Sequence, residues 1–131
     1  MLNILLIEDS GVFREVEVAL LNKIKNSVIT VAVNYKESLL KIEHGDFDLI
    51  LCDYHLPDGN GLDILDFVRQ NKIKGKNNMI VPFIMVTGNN DMDIVKECIT
   101  RGVNDYLVKP IQAVKFLKKC CLLLEVPQPK F

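Results

Sequence analysis

Short apolar runs alternate along this chain with longer stretches in which apolar residues recur every three or four positions. The runs cover about residues 3–8, 28–33, 49–52 and 80–86, with a fifth that ends near Val108. Each run has the length of a buried strand, whereas the stretches between them have the spacing of amphipathic helices. Strict alternation of five such pairs predicts an α/β fold, a doubly wound parallel sheet with helices on both faces.

The helices are marked by caps and by apolar faces. Short polar side chains predict N-caps at Ser10, Asn34 and Asn60, while Gly45 and Gly102 stand where helices end. The predicted buried faces comprise Phe13, Val16, Leu20 and Ile24 in the first helix; Leu62, Leu65 and Val68 in the third; Met92, Val95, Cys98 and Ile99 in the fourth; and Val114, Leu117, Cys121 and Leu124 in the fifth.

Chemically distinctive side chains stand where the predicted strands end: the pair Glu8 and Asp9, then Asp53, Thr87 and Lys109. The carboxyl ends of parallel strands meet at one crevice, so these groups are expected to lie together. Three carboxylates suit Mg²⁺, and an ammonium with a hydroxyl suits a phosphoryl group. Asp53 could attack phosphorus as a nucleophile, or serve only as a second metal ligand.

The composition indicates an ordinary globular domain but does not indicate a specific function. The chain has 131 residues, 49% of them hydrophobic and 25% charged, as in an ordinary single globular domain. A net charge of −1 gives no general attraction for nucleic acid or an anionic membrane. No apolar stretch approaches the ~20 residues of a membrane span, and no secretory signal is visible, so a cytoplasmic protein is expected. The lysines at 72, 74 and 76 are interpreted as a solvated loop.

The four cysteines, at 52, 98, 120 and 121, have neither a CxxC nor a zinc-ligand spacing. Packing in the core or at its boundary is therefore the favoured interpretation. A regulatory thiol at Cys52, next to Asp53, is the alternative.

Four segments carry a resemblance to a known family: ILLIEDS, DLILCDYHLPDGNGLDIL, FIMVTG and RGVNDYLVKPI. In this order and spacing, over residues 2–124, the chain resembles a response-regulator receiver domain of the single-domain chemotaxis type. The resemblance implies a flavodoxin-like (βα)5 three-layer sandwich with a five-stranded parallel sheet in the order 2-1-3-4-5. The expected receiver domain spans residues 1–125, followed by a tail or linker over residues 126–131.

The resemblance also assigns roles. It implies that Asp53 is the phosphoacceptor and that Mg²⁺ (or Mn²⁺) is held by Glu8, Asp9, Asp53 and the backbone carbonyl of His55. Thr87 matches the switch hydroxyl, Lys109 the phosphate-binding lysine, and Tyr106 the aromatic residue that turns inward. The Lys109–Pro110 peptide bond is expected to be cis.

The implied function is that of a signalling protein in a two-component phosphorelay. A phosphohistidine on a sensor histidine kinase or a histidine phosphotransfer protein would donate its phosphoryl group. The domain would phosphorylate and dephosphorylate only itself, without multiple turnover. Its output surface is expected on the fourth helix, fifth strand and fifth helix, with no direct contact to nucleic acid. The side chain of His55 is expected to face solvent without a chemical role; the alternative hypothesis is that this side chain, with Asn89, tunes the access of water to the aspartyl phosphate.

Three other functions are compatible with parts of the pattern. The same topology can bind a flavin, although the EDSG loop offers carboxylates where a phosphate cradle needs free backbone N–H groups. A Mg²⁺-dependent phosphohydrolase with an aspartyl nucleophile would turn over repeatedly on a small phosphoester. A receiver-like domain used only for docking is disfavoured, because every matched site residue is present.

Overall fold

The computed structural model describes residues 1–75, 78–88 and 92–130. Within them, five main strands alternate with five helices. The strands are β1 (Leu2–Ile7), β2 (Ser27–Ala32), β3 (Leu49–Asp53), β4 (Phe83–Thr87) and β5 (Asp105–Val108). The helices are α1 (Gly11–Leu21), α2 (Tyr35–His44), α3 (Gly61–Gln70), α4 (Met92–Thr100) and α5 (Ala113–Leu124).

The main strands form one parallel sheet in the order β2-β1-β3-β4-β5, which confirms the predicted topology. The two strands at its centre are apolar and fully buried up to their last residues, as expected for strands covered on both faces. The register aligns Ile7 with Cys52 and Asp53 with Val86. The polar residues that follow or end these strands therefore lie at the same edge of the sheet.

Two apolar layers cover the sheet, one on each face. On one face, Ile42 of α2 and Leu65 and Val68 of α3 are buried. On the other, Leu21 of α1 packs with Phe116 of α5 in the second layer. Leu62, Leu65 and Val68 confirm the predicted face of α3.

All three predicted N-caps are confirmed. The side chains of Ser10, Asn34 and Asn60 each accept a hydrogen bond from the backbone N–H group three residues further on. Gly45 follows α2 as predicted, but its φ of −131° is not left-handed, whereas Gly102 has a φ of 92°.

Some predicted faces and boundaries were wrong. Val16 is 47% exposed and Val114 55% exposed, while Met92 and Ile99 of α4 are 59% and 58% exposed. The fourth strand begins at Phe83 instead of Ile80. Ile80 forms an isolated antiparallel bridge with Lys74, and Pro82 has no N–H group to donate to a sheet.

Lys72 and Lys74 are exposed, in agreement with a solvated loop, whereas Lys76 and Asn89 lie outside the described residues. None of the helices in the described part of the chain has the length and apolar character required to cross a bilayer.

Candidate functional site

The sheet brings three carboxylates together at its carboxyl edge. Glu8 and Asp9 directly follow β1, and Asp53 is the last residue of the neighbouring strand β3. One carboxylate oxygen of each residue lies within 4.8 Å of the others. Glu8 and Asp53 are buried, and Asp9 is exposed, so the acidic pocket formed by these three residues is open to solvent on one side.

Lys109, just beyond β5, extends its ammonium into this pocket. Its Nζ atom lies 2.7 Å from Oε1 of Glu8 and 3.2 Å from Oδ2 of Asp53. The backbone N–H of Lys109 donates to the carbonyl oxygen of Thr87 at 2.7 Å, which fixes the start of this side chain against β4. The ammonium also lies over the ring of Phe13, 4.1 Å from its centroid.

The charges of the pocket act strongly on one another because most of them are shielded from water. Burial, followed by hydrogen bonding and repulsion from Glu8, raises the pKa of Asp53 to about 7. Burial alone would raise the pKa of Glu8, but hydrogen bonds from Glu17 and Lys109 outweigh it and hold that pKa below its usual value. Burial alone would lower the pKa of Lys109, yet its two carboxylate partners raise it.

The loop after Asp53 is held against the strand ends by backbone hydrogen bonds. The N–H of Tyr54 donates to the carbonyl of Val86 at 2.8 Å, and the N–H of His55 donates to Oδ1 of Asp53 at 3.3 Å. A short antiparallel hairpin follows, in which the two-residue strands His55–Leu56 and Gly59–Asn60 pair with each other. Gly61 is needed at its end, because an added Cβ there would lie 2.8 Å from the carbonyl oxygen of Asp53.

The other predicted residues have defined positions. Thr87 is buried at the end of β4, next to the strand of Asp53. Tyr106 is half-buried on β5, paired in register with Met85, and its ring packs on the apolar layer of α2 and α3. The Lys109–Pro110 bond is cis. The side chain of His55 is exposed and contacts the Tyr54 ring edge-on.

The sequence analysis missed one residue in this region, Glu17. It is buried on the inner face of α1 and lies within hydrogen-bonding reach of Glu8. The signal was present in the helical spacing, because position 17 lies in the same stripe as Phe13, Leu20 and Leu21. A single charged residue inside an apolar helical stripe marks a buried charge that needs a reason.

The cysteines are all free and buried. The Sγ atom of Cys52 donates to the carbonyl of Asp53 at 3.2 Å, and burial raises the pKa of this thiol well above its ordinary value. A thiol of this kind is inert, so the geometry favours the packing interpretation over a regulatory one.

The donor set fits a hard divalent cation. Oxygen ligands from three carboxylates, one of them open to solvent, match the preference of Mg²⁺ for carboxylates supplemented by water. Burial, followed by hydrogen bonding and repulsion from Glu8, raises the pKa of Asp53, and a bound cation would favour the charged form of this carboxylate.

Comparison with known proteins identifies the family. The profile of the response regulator receiver domain matches residues 4–120. The chain belongs to the response regulator receiver domain family. Members are signalling domains of two-component systems that are phosphorylated by histidine kinases, and they are not classical enzymes.

Curated relatives of this receiver domain are longer proteins. It is 33% identical over 111 residues to the transcriptional regulatory protein DpiA of Escherichia coli, covering 84% of this chain and 46% of that protein. It is 28% identical over 117 residues to the transcriptional regulatory protein MalR of Bacillus subtilis, covering 88% and 47%. The chain thus spans about half the length of these relatives.

Solved receiver structures superpose closely on this one. A CheY-like receiver protein from Methanospirillum hungatei is 26% identical, with a TM-score of 0.82 over 95% of this chain and 94% of that one. The receiver domain of the sensor histidine kinase PA1611 from Pseudomonas aeruginosa is 27% identical, with a TM-score of 0.80 and coverage of 95% and 98%. That structure holds a magnesium ion in its active site cleft.

Proposed function

We propose that this receiver domain accepts a phosphoryl group on Asp53 from the phosphohistidine of a kinase or a histidine phosphotransfer protein. The observation that carries the proposal is the position of Lys109 Nζ, 3.2 Å from Oδ2 of Asp53 in a pocket that also contains Glu8 and Asp9. The candidate nucleophile, the Asp53 carboxylate, thus lies beside a fixed ammonium and two further carboxylates. The domain also belongs to a family of two-component signalling domains.

In the transfer, an oxygen of the Asp53 carboxylate forms a bond to phosphorus while the P–N bond of the phosphohistidine breaks. The imidazole nitrogen keeps the bonding electrons and is protonated by water. Lys109 would face the negative oxygens of the transferring group, and its contribution would be positioning and charge stabilisation. The backbone N–H of His55, now 3.3 Å from Oδ1 of Asp53, orients the carboxylate.

Glu8, Asp9 and Asp53 would hold Mg²⁺ (or Mn²⁺), together with the backbone carbonyl of His55. The ion would neutralise charge shared between the carboxylates and the phosphoryl oxygens. Glu8 also faces Lys109 and the N–H of Ser10, which donates to its Oε2 atom at 3.3 Å. These contacts support a role in which Glu8 reaches the ion through water.

Thr87 and Tyr106 would form the switch. In support, Thr87 ends the strand next to that of Asp53. The half-buried Tyr106 lies on the next strand, with the ammonium of Lys119 from α5 5.2 Å from the centre of its ring. Movement of the Thr87 hydroxyl toward the phosphoryl group would open space for the ring of Tyr106. The exposed apolar side chains Met92, Ile99 and Val114 support an output surface on α4, β5 and α5.

The receiver unit is proposed to span residues 1–125. In its favour, α5 ends at Leu124, and Glu125 caps it in a left-handed conformation with a φ of 58°. Residues 126–130 carry neither helix nor strand and would be a tail or linker. A chain ending at residue 125 should melt at nearly the same temperature and take up phosphate equally well.

The test is incubation with acetyl phosphate and Mg²⁺ followed by intact-mass analysis. The wild type should gain one phosphoryl group, and Asp53→Asn should gain none. The matched control is Asp63→Asn, which removes a carboxylate from the first turn of α3 and should still be phosphorylated. No adduct on the wild type would refute the phosphoacceptor role. Repeated hydrolysis of a small phosphoester would favour the phosphohydrolase instead.

The switch is tested in the same preparation. Thr87→Ala should become phosphorylated on Asp53, yet leave the NMR resonances around Tyr106 in their unphosphorylated positions. A full set of phosphorylation-dependent shifts in Thr87→Ala would show that the hydroxyl is not required.

A further inference from the structure

The hairpin that follows Asp53, over residues 55–60, is tied at its tip to the start of α2. The Asp58 carboxylate accepts a hydrogen bond from the N–H of Tyr35 at 2.6 Å through Oδ1, and another from the N–H of Lys36 at 3.1 Å through Oδ2. Tyr35 and Lys36 are the first two residues of α2. Asp58 therefore joins the phosphoacceptor loop to a helix that starts 23 positions earlier in the chain.

The start of α2 also has a cap of its own. The side chain of Asn34 accepts a hydrogen bond from the N–H of Glu37 at 2.8 Å, the usual contact of an N-cap residue. The two N–H groups that Asp58 binds belong to the preceding residues of the helix. Water commonly satisfies such groups at an exposed helix start. Here a carboxylate from the hairpin takes that place and connects two segments of the chain.

Packing supports the same contact. Gly59 lies so close to the ring of Tyr35 that an added Cβ would be 3.1 Å from two of the ring carbons. In the same hairpin, Leu56 is buried in the apolar layer of α2 and α3. The negative charge of Asp58 also suits the positive end of the helix dipole. The tip of the hairpin thus has a defined position against α2.

The base of the hairpin carries the backbone of His55, which lies next to the acidic pocket. The N–H of His55 donates to Oδ1 of Asp53 at 3.3 Å, and His55 pairs in register with Asn60 across the hairpin. Gly61, directly after Asn60, donates to the carbonyl of Tyr54 at 2.8 Å. A tilt of the hairpin would therefore move His55 relative to Asp53. The carbonyl of His55, a proposed ligand of Mg²⁺, would move with it.

We propose that Asp58 is a positioning residue that holds the hairpin against α2 and thereby places the His55 backbone for Mg²⁺. Groups that orient a metal ligand from behind affect the affinity for the metal although they do not contact it. If the hairpin occupies its position for only part of the time, the affinity falls in proportion to that fraction. The inference rests on the proposed function, since it takes the acidic pocket to be the Mg²⁺ site.

The experiment is calorimetric titration of the full, unphosphorylated chain with Mg²⁺ at pH 7. Asp58→Ala should bind Mg²⁺ about fivefold more weakly than the wild type, because it loses both bonds to α2. Asp58→Asn, which keeps an oxygen that can accept from one of these N–H groups, should stay within about twofold. Wild-type affinity in Asp58→Ala would overturn the inference. Equal losses in the alanine and asparagine variants would also overturn it, because they would indicate an effect of charge alone.

Asn34→Ala is the matched control, since it removes the other cap of the same helix start without releasing the hairpin. Both alanine variants should lower the melting temperature of the metal-free protein, because each leaves N–H groups of α2 without a side-chain partner. Only Asp58→Ala should weaken Mg²⁺ binding. A similar loss of affinity in Asn34→Ala would show that any weakening of α2 has this effect, and the positioning role would be refuted.

The rate of phosphorylation by acetyl phosphate provides a second distinction. If Asp58 acts through the metal site, Asp58→Ala should react about fivefold more slowly than the wild type at limiting Mg²⁺ and at the wild-type rate at saturating Mg²⁺. A rate that stays low at saturating Mg²⁺ would contradict action through the metal.

Amide hydrogen exchange tests the link without metal. In the metal-free protein, the N–H groups of His55 and Gly61 should exchange about fivefold faster in Asp58→Ala than in the wild type, and at the wild-type rate in Asn34→Ala. Unchanged exchange in Asp58→Ala would overturn the inference. A wild type that bound no Mg²⁺ and formed no aspartyl phosphate would refute the proposed function and the metal-positioning role with it. Faster exchange in Asp58→Ala would still establish the link between α2 and the hairpin.

Discussion

Lys109 and Glu8 form the closest ion pair of the acidic pocket, with 2.7 Å between Nζ and Oε1, shorter than the 3.2 Å that separates the same ammonium from Asp53. Glu8 and Lys109 are 1% and 11% exposed in their side chains. The ammonium is therefore positioned mainly by its contact with Glu8, and it lies beside Asp53. This arrangement fixes a positive charge beside the buried carboxylate of Asp53.

Replacement of Lys109 by methionine should abolish most phosphorylation while leaving the fold intact. Loss of a charge that is placed to face the transferring group costs about 100-fold or more in rate. The rate of adduct formation with acetyl phosphate, followed by intact mass, measures the effect. Lys118→Met, on the exposed side of α5, serves as the control and should react at the wild-type rate. A Lys109→Met protein that reacts equally fast would contradict the role given to Lys109.

Phe13 should affect the reaction through its contact with Lys109. A cation over an aromatic face gains about 0.5–1 kcal/mol at a partly exposed site, equivalent to roughly two- to fivefold in rate. Phe13→Leu should slow phosphorylation by this amount, whereas Phe13→Tyr, which keeps the ring 4.1 Å from the ammonium, should not. The same rate measurement distinguishes them. If leucine and tyrosine behave alike, the ring contributes only its size.

The stability of the metal-free protein should fall as the pH rises. Glu17, with a folded-state pKa of about 9 against an ordinary 4.5, keeps a proton that the unfolded chain releases. The part of the unfolding free energy that depends on this proton is fully present below pH 4.5. It is lost progressively between pH 4.5 and about pH 9, by no more than about 1.4 kcal/mol per pH unit. Asp53 acts with the same sign up to about pH 7.

Urea unfolding of the wild type and Glu17→Gln between pH 5 and 9 checks this prediction, since the pKa of Glu17 is about 9. The free energy of unfolding should decline more steeply in the wild type, and the difference between the two proteins should persist above pH 7, where Asp53 no longer contributes. Parallel curves would show that Glu17 does not keep its proton in the folded state.

Arg69 should be important for stability and not for chemistry. Its guanidinium donates to the carbonyls of Val81 and Gly102, both at 2.9 Å, and to Oδ1 of Asn104 at 2.7 Å. The same Asn104 oxygen accepts from the N–H of Phe83 at 2.8 Å, so α3 is joined to the starts of β4 and β5. Arg69→Leu should cost about 2–3 kcal/mol of unfolding free energy.

Arg101 is the matched control for this change. It pairs with Asp66 and Glu97 on the exposed surface of the same region. Exposed ion pairs contribute little, so Arg101→Leu should cost far less than Arg69→Leu in a urea titration. Both variants should retain phosphorylation of Asp53. Equal losses of stability in the two variants would refute the special contribution of Arg69 to the stability of the fold.

Local sequence rules were sufficient to predict most of the fold. Ser10, Asn34 and Asn60 cap their helices because a short polar side chain satisfies a free N–H group wherever the chain enters a helix. Strand-end positions were sufficient to place Glu8, Asp9 and Asp53 together, because parallel topology aligns those ends.

Packing between distant segments could not be predicted from these rules. Periodicity placed Val16 on the buried face of α1, yet the face that meets α5 and the sheet contains Glu17, because the exact rotation of a helix depends on its neighbours. The contact between Phe13 and Lys109 joins residues 96 positions apart and has no local signature.

Lys119 connects the fifth helix to the strand that carries the proposed aromatic switch. Its ammonium bonds the Asp105 carboxylate at 2.9 Å and the Tyr106 carbonyl at 2.8 Å, and lies 5.2 Å from the centre of the Tyr106 ring. An acidic group on a docking protein would compete for this ammonium and loosen the strand beneath the ring. By thermodynamic reciprocity, a partner that binds the phosphorylated form more tightly would shift the phosphoryl-transfer equilibrium toward that form by the same factor. Lys119 would thus couple the acidic pocket to the docking partner in both directions.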